Sequence, residues 1–225
     1  MGSPIPRSIC VAVLSLAAAC GAQAQNQSVP GDIKNFVTQY VAAFNAKDVA
    51  RLESMYHPKS AACITPQNKD YYDGALAVQM RDPIPANYTI SMMTPNENNL
   101  KALESTGMRW PLKPEQEINI DYQQGDDVGS VVVWFVRENG RLFGDCPCVT
   151  DAALKQFRDE TPAKNAAMAR YKAIADGIKE PLRSELVGMI REHKTSTAID
   201  RYHEASGKDY KTSMFVINAL KDEAR

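Results

Sequence analysis

Cys146-Pro147-Cys148 brings two reactive thiols closer together than any other pair in the chain. Soft thiolates one residue apart can share a copper ion or exchange a disulfide. The spacing differs from Cys-x-x-Cys at a helix start, which lowers a thiol pKa in thioredoxin-like sites. A structural disulfide therefore competes with redox or metal chemistry here. The histidines, His57, His193 and His203, stand on separate segments with no His-x-x-x-His pair, a pattern that argues against zinc. His57, just before Pro58, reads as a solvated turn residue. No metal and no cofactor is expected. Tyr40, Phe44, Tyr56 and Trp134 are the aromatic residues assigned to a ligand pocket, and Tyr71, Tyr72 and Trp110 could extend it. Packing in a core would explain such a set equally well. Asp70, Asp73, Asp121 and Asp145 are candidate carboxylates. Tyr40 with Asp121 is the catalytic pair to test, whereas Asp73 before Gly74 reads as a helix cap. No nucleophile elbow, phosphate loop or dinucleotide fingerprint occurs.

These residues must be positioned by helices first, strands next and helices again. Asp32 is placed as an N-cap. Ile33, Phe36, Val37, Tyr40, Val41 and Phe44 follow at three- and four-residue spacing, one apolar helical face. Asp48 can cap a second helix that ends before His57-Pro58. Ala61 to Thr65 reads as a short strand, Tyr71 as a brief one, and Gly74 as the start of a third helix. Tyr88 to Met93, Ile118 to Tyr122 and Ser130 to Val136 read as strands, the last β-branched and aromatic enough to be central. Gly125-Asp126-Asp127 is a turn. Glu138-Asn139-Gly140 is a hairpin that returns through Arg141 to Cys148. Beyond Thr150, an N-cap, helical periodicity prevails, punctuated at Pro162, Gly177, Pro181 and Gly207. Leu182, Leu186 and Ile190 form one tail stripe and Met214, Ile217 and Leu220 another. They are expected to dock on the preceding domain, with a partner or the pocket mouth as alternatives. Strands grouped between helices argue α+β.

The first residues read as an address. Arg7 precedes an apolar run from Ile9 to Ala19, too short to span a bilayer, and Ala22-Gln23-Ala24 is a small-x-small cleavage site. Leu16-Ala17-Ala18-Ala19-Cys20 also resembles a bacterial lipobox, which would lipidate Cys20. Both readings export the chain, to a bacterial periplasm, a membrane surface or the medium. The expected organisation is a leader over 1–24, a linker over 25–31, an α+β domain over 32–149 and a helical extension over 150–225. Hydrophobic residues are 44% of the chain, charged residues 24%, and the net charge is −1. That balance offers nothing to nucleic acid, and no later segment is apolar enough for membrane insertion. Cys63, Cys146 and Cys148 follow the cleavage site, and an oxidising compartment permits a bridge between two of them.

Tyr40-Val-Ala-Ala-Phe-Asn-Ala-Lys-Asp48, Leu52 and Tyr56, Thr65-Pro66, Asp73-Gly74 and Glu138-Asn139-Gly140-Arg141-Leu142 together resemble the nuclear transport factor 2-like superfamily, the cystatin-like α+β cone. The resemblance covers about Asp32 to Cys148 and leaves the helical tail outside. It implies a curved antiparallel sheet wrapping helices around a conical pocket, and often a homodimer. Its ketosteroid isomerase branch would place an oxyanion tyrosine at Tyr40, a catalytic base at Thr65 and a protonated acid near Val132. Threonine has no useful basicity and valine no proton to donate, so the resemblance supports the fold and not that reaction. It also implies that the first strand lies beside the last. Cys63 would then bridge Cys148, nearer the strand end, or Cys146, closing a loop of about 80 residues for roughly 4 kcal/mol.

Three functions follow from these readings. The leading one is an exported, non-catalytic binding module for a small hydrophobic molecule or a protein partner. An isomerase, dehydratase or hydrolase using Tyr40 and an aspartate is the second. Thiol redox or metal binding at Cys146-Pro147-Cys148 is the third.

Overall fold

A computed structural model describes residues 29–224. The leader reading, with Cys10 and Cys20, lies outside the described residues. The chain divides into two compact units, one running to Tyr122 and including Gly129–Lys155, the other made of Gln123–Val128 and Gln156 onward. The whole is mixed α+β with antiparallel sheets and a helical C-terminal part.

In the first unit, α1 (Gly31–Asn45) buries the expected stripe, Ile33, Phe36, Val37, Tyr40, Val41 and Phe44. The helix begins two residues earlier than a cap at Asp32 would set it, with Pro30 at the cap. Asp32 lies in its first turn and not at the cap, and it pairs with Arg137 at 2.6 Å. Asp48 caps α2 (Val49–Ser54) as expected, accepting from the Arg51 amide at 3.0 Å. The strand expected over Ala61 to Thr65 is instead preceded by α3 (Pro58–Ala61) and gives way to turns. Pro58 presets a helical φ at the first position and the His57 ring accepts from the Lys59 amide, so local capping overrides the apolar pattern. The brief strand at Tyr71 is absent for a similar reason. Helix α4 (Lys69–Gln79) runs through it, burying Tyr72 and Leu76 one turn apart, with Gly74 inside rather than at the start. Asp73 therefore caps nothing and ion-pairs with Lys69 at 2.9 Å.

Strands β1 (Thr89–Met93), β3 (Gln116–Gln124), β4 (Asp127–Glu138) and β5 (Arg141–Asp145) form one sheet in the order β1-β3-β4-β5. Thr89 stands opposite Asp121, and Glu138 opposite Arg141. Asn139 and Gly140 both take positive φ, the geometry of a two-residue hairpin turn. A two-stranded ribbon pairs β2 (Met108–Arg109) with β6 (Cys148–Val149). Between β1 and β2 lies α5 (Glu97–Ser105), which the sequence reading lacks; Asn96 caps it and Leu100 and Leu103 are its buried residues. Side chains alternate across β3 and β4. Ile118, Ile120, Val131, Val133 and Phe135 join the α1 stripe and Leu76, Met80 and Ile84 in the main core.

Helix α6 (Asp151–Asp176) starts after Thr150, as the periodicity predicts, and runs on through Pro162. Pro162 lacks the N–H that would reach the carbonyl four residues earlier, so the helix continues with one backbone bond fewer. In the second unit, α7 (Leu182–Arg191), α8 (Thr195–Ser206) and α9 (Tyr210–Ala224) pack on one another and on the end of α6. Leu186, Ile190, Ile217 and Leu220, from the two tail stripes, meet in a core of that unit's own. Lys194, at the N-cap of α8, makes no side-chain cap bond. The β3–β4 turn supplies the cap instead. Asp127 accepts from the Thr195 amide (3.2 Å) and hydroxyl (2.8 Å), and Asp126 from the Thr197 amide (3.1 Å) and hydroxyl (2.8 Å).

Candidate functional site

Tyr40 sits deep in the first unit, 2% exposed, with the Phe36 and Phe44 rings 6.5 and 6.1 Å away. Its hydroxyl has no hydrogen-bond partner among the described residues. Burial, and to a lesser degree nearby Tyr56, pushes its pKa well up, so it stays neutral. Alternation along β3 puts Asp121 on the face opposite Ile118 and Ile120, and hence away from Tyr40. The Tyr40–Asp121 pair therefore does not assemble. Trp134 lies on that opposite face too. Its indole N–H donates to Glu117 at 3.2 Å, and its ring meets Trp110 edge-on at 5.2 Å. Burial raises the Glu117 pKa more than bonds from Trp134 and Asn119 lower it.

Tyr56 occupies a third place. Its ring lies against Gly144, where an added Cβ would come within 3.0 Å of it. The Gly144 amide donates to Met55 and its carbonyl accepts from His57, a parallel bridge that seats the end of α2 beside β5. Tyr40, Phe44, Tyr56 and Trp134 thus do not line one pocket: Tyr40 and Phe44 fill a core, Trp134 faces away from it, and Tyr56 covers a strand end.

Beside that strand end, Cys63 and Cys148 form a disulfide. Cys63 reaches it from the turn after α3 and not from a strand. Tyr72 clamps the same segment: its hydroxyl donates to the Pro147 carbonyl at 3.2 Å and accepts from the Val149 amide at 2.9 Å. Beneath, Asp145 is 2% exposed and Ser60 fully buried. The Ser60 hydroxyl donates to Asp145 at 2.5 Å, and the Cys146 amide adds a second bond at 3.0 Å. His57 is buried, contrary to its reading as a solvated turn residue, because its ring caps α3. Its Nε2 faces Glu138 at 3.2 Å, so serine, histidine and aspartate make no nucleophile relay. Among the described residues no group of three or more histidines, cysteines or carboxylates could hold a metal, and no helix is long and apolar enough to cross a membrane.

The open space lies elsewhere. A groove of about 460 Å³ runs beside α1, which contributes Asp32, Asn35, Phe36 and Gln39. Arg51, Ser54 and Met55 close one side, and Gly140, Arg141 and Leu142 of the β4–β5 hairpin the other. Phe36, Met55 and Leu142 are also packed in or against the main core, so the groove has an apolar floor under a polar rim. Arg141 lies over the Phe143 ring, 4.7 Å from its centre. A second hollow of about 300 Å³ lies beside α5, between Leu100, Trp110 and a ring of charges that includes the Lys113–Glu97 pair. Sequence reasoning missed the groove because Asn35 and Gln39 look like any solvated face of an amphipathic helix. No protein-family model, curated protein or solved structure matches this chain.

Proposed function

We propose that this protein is an exported binding module, built as the α+β cone that its sequence resembles, and that it holds a small molecule without transforming it. The ligand seat is the groove beside α1 rather than the space around Tyr40. The observation that carries this reading is the groove itself: its volume is in the range of small-molecule sites, with a few polar groups around an apolar floor. The Tyr40 hydroxyl, by contrast, is enclosed by packed side chains with no acid or base bonded to it among the described residues. That removes the support for the isomerase, dehydratase or hydrolase reading. Cys148 is committed to a bridge, and this weakens the thiol reading of Cys146-Pro147-Cys148.

The test is an amide-shift titration of the full chain with a small-molecule library, repeated on Gln39→Trp, where an indole at an exposed position fills the groove. Hits should shift amides of α1, α2 and the β4–β5 hairpin and lose affinity in the variant. Hits that map elsewhere, or that bind Gln39→Trp equally well, overturn the assignment of the seat. A library without any hit, set against a protein captured by the same surface, would favour a protein partner.

A further inference from the structure

We infer that the groove takes an amphipathic organic anion, its acid head held by Arg51 and Arg141 and its apolar body laid on Phe36, Met55 and Leu142. This rests on the groove being the ligand seat. Three positive side chains stand in or beside the groove, and one of them is already answered: Arg137 is paired with Asp32 at 2.6 Å. Arg51 and Arg141 have no carboxylate partner among the described residues, yet both line the same hollow. Arg201, by comparison, meets Glu185 at 2.8 Å, while the exposed Arg109 and Arg170 also lack a carboxylate among the described residues, so what singles out Arg51 and Arg141 is that they share one hollow. The excess of positive charge is local, because the chain as a whole carries −1.

A guanidinium offers a planar fork of donors that matches a carboxylate or phosphate better than a lone ammonium does. The stacking of Arg141 on Phe143 restricts one of the two forks before any ligand arrives. Asn35 and Gln39 add amides that can donate or accept around the head. A fully polar anion would leave the floor of Phe36, Met55 and Leu142 unused, and a neutral hydrocarbon would leave both arginines unanswered. An acid with an apolar tail satisfies both halves of the lining.

The experiment compares decanoate, decyl phosphate, decanol and inorganic phosphate, each below micelle formation, against the full chain by calorimetry and amide shifts. Decanoate or decyl phosphate should bind at least about tenfold tighter than decanol, the difference expected of a charge-assisted bond, and should weaken as salt is raised. Arg51→Gln and Arg141→Gln should each bring decanoate down to the level of decanol while leaving decanol binding unchanged. Whichever head binds tighter separates a carboxylate from a phosphate ligand. Decanol binding in the groove as tightly as decanoate overturns the anion and leaves the binding module standing. Inorganic phosphate binding as tightly as decyl phosphate overturns the amphipathic body. If no member of the series or of the wider library shifts groove amides, the seat itself is wrong.

Discussion

Gly125-Asp126 and Gly144-Asp145 are the same dipeptide, one in the β3–β4 turn and one at the end of β5, and the pKa values of the two aspartates shift in opposite directions. Each glycine permits a close approach: a Cβ at Gly125 would fall 2.4 Å from the His193 carbonyl oxygen, and one at Gly144 3.0 Å from the Tyr56 ring. Each aspartate receives two hydrogen bonds on one oxygen, and its other oxygen has no hydrogen-bond partner among the described residues. Those two bonds do not separate them; the further amides of Ser196 and Thr195 that face Asp126 do. Burial dominates at Asp145, where bonds from Ser60 and Cys146 and the charge of His57 only partly offset it, so the pKa ends up raised. At Asp126 burial is again the largest single effect, but Thr197 and the first amides of α8 together outweigh it, and the pKa falls. A helix start beside solvent and a dry strand end thus impose opposite charges of preference on one side-chain type.

The two regions are also held by different means, one covalent and one by hydrogen bonds, and this ranks the expected losses. Removing the Cys63–Cys148 bridge, which closes a separation of 85 residues, should cost about 4 kcal/mol. Both tryptophans lie in the first unit, so their fluorescence reports its unfolding selectively. The denaturant midpoint of Cys63→Ser followed by tryptophan emission should drop steeply, and an unchanged midpoint would mean the bridge closes no loop that matters to stability. Tyr72→Phe leaves the bridge intact but strands the Val149 amide and the Pro147 carbonyl, for an expected loss of about 2 kcal/mol in the same fluorescence transition. Asp127→Ala removes one of the two carboxylates that cap α8 and should cost about 1 kcal/mol. That loss should register in helical circular dichroism while the tryptophan transition stays in place. A shift of both signals together would erase the distinction drawn between the two regions.

Local signals were legible in the sequence, and convergence was not. The α1 stripe, the Asp48 cap, the Asn139-Gly140 turn and the helices after Thr150 all depend on residues within a few positions of one another, and all are present. The strand expected at Ala61–Thr65 failed because an apolar run of five residues has no period of its own, and Pro58 with the His57 ring decided the matter. The pairing of Cys63 with Cys148 was expected from a strand lying beside a strand. The pair does form, but the neighbourhood comes from Tyr56 bridging Gly144 and from a turn that carries Cys63 onward. Asp126 and Asp127 read only as a turn, because nothing local announces that Thr195, about seventy residues later, lacks a cap of its own. The groove draws on positions near 35, 51 and 141, each of which reads alone as an ordinary solvated surface.

The smallest effect is also the sharpest test of the contrast between the aspartates. Asp145 has a folded pKa above its unfolded value, so its contribution to stability is complete below the unfolded pKa and is lost as pH rises through the folded one. Asp126 has a folded pKa below its unfolded value, so its contribution is present above the unfolded pKa and is lost as pH falls through the folded one. Over about pH 3 to 7, Asp145→Asn should therefore flatten the decline toward neutral pH, since asparagine still accepts from Ser60 and the Cys146 amide but carries no charge to bury. Asp126→Asn should flatten the decline toward acid. Unfolding midpoints measured across that range, by tryptophan emission for the first variant and helical circular dichroism for the second, should give difference curves of opposite slope. Two curves sloping the same way would mean that burial does not dominate at Asp145, and the buried carboxylate would then have to draw on a donor for its second oxygen.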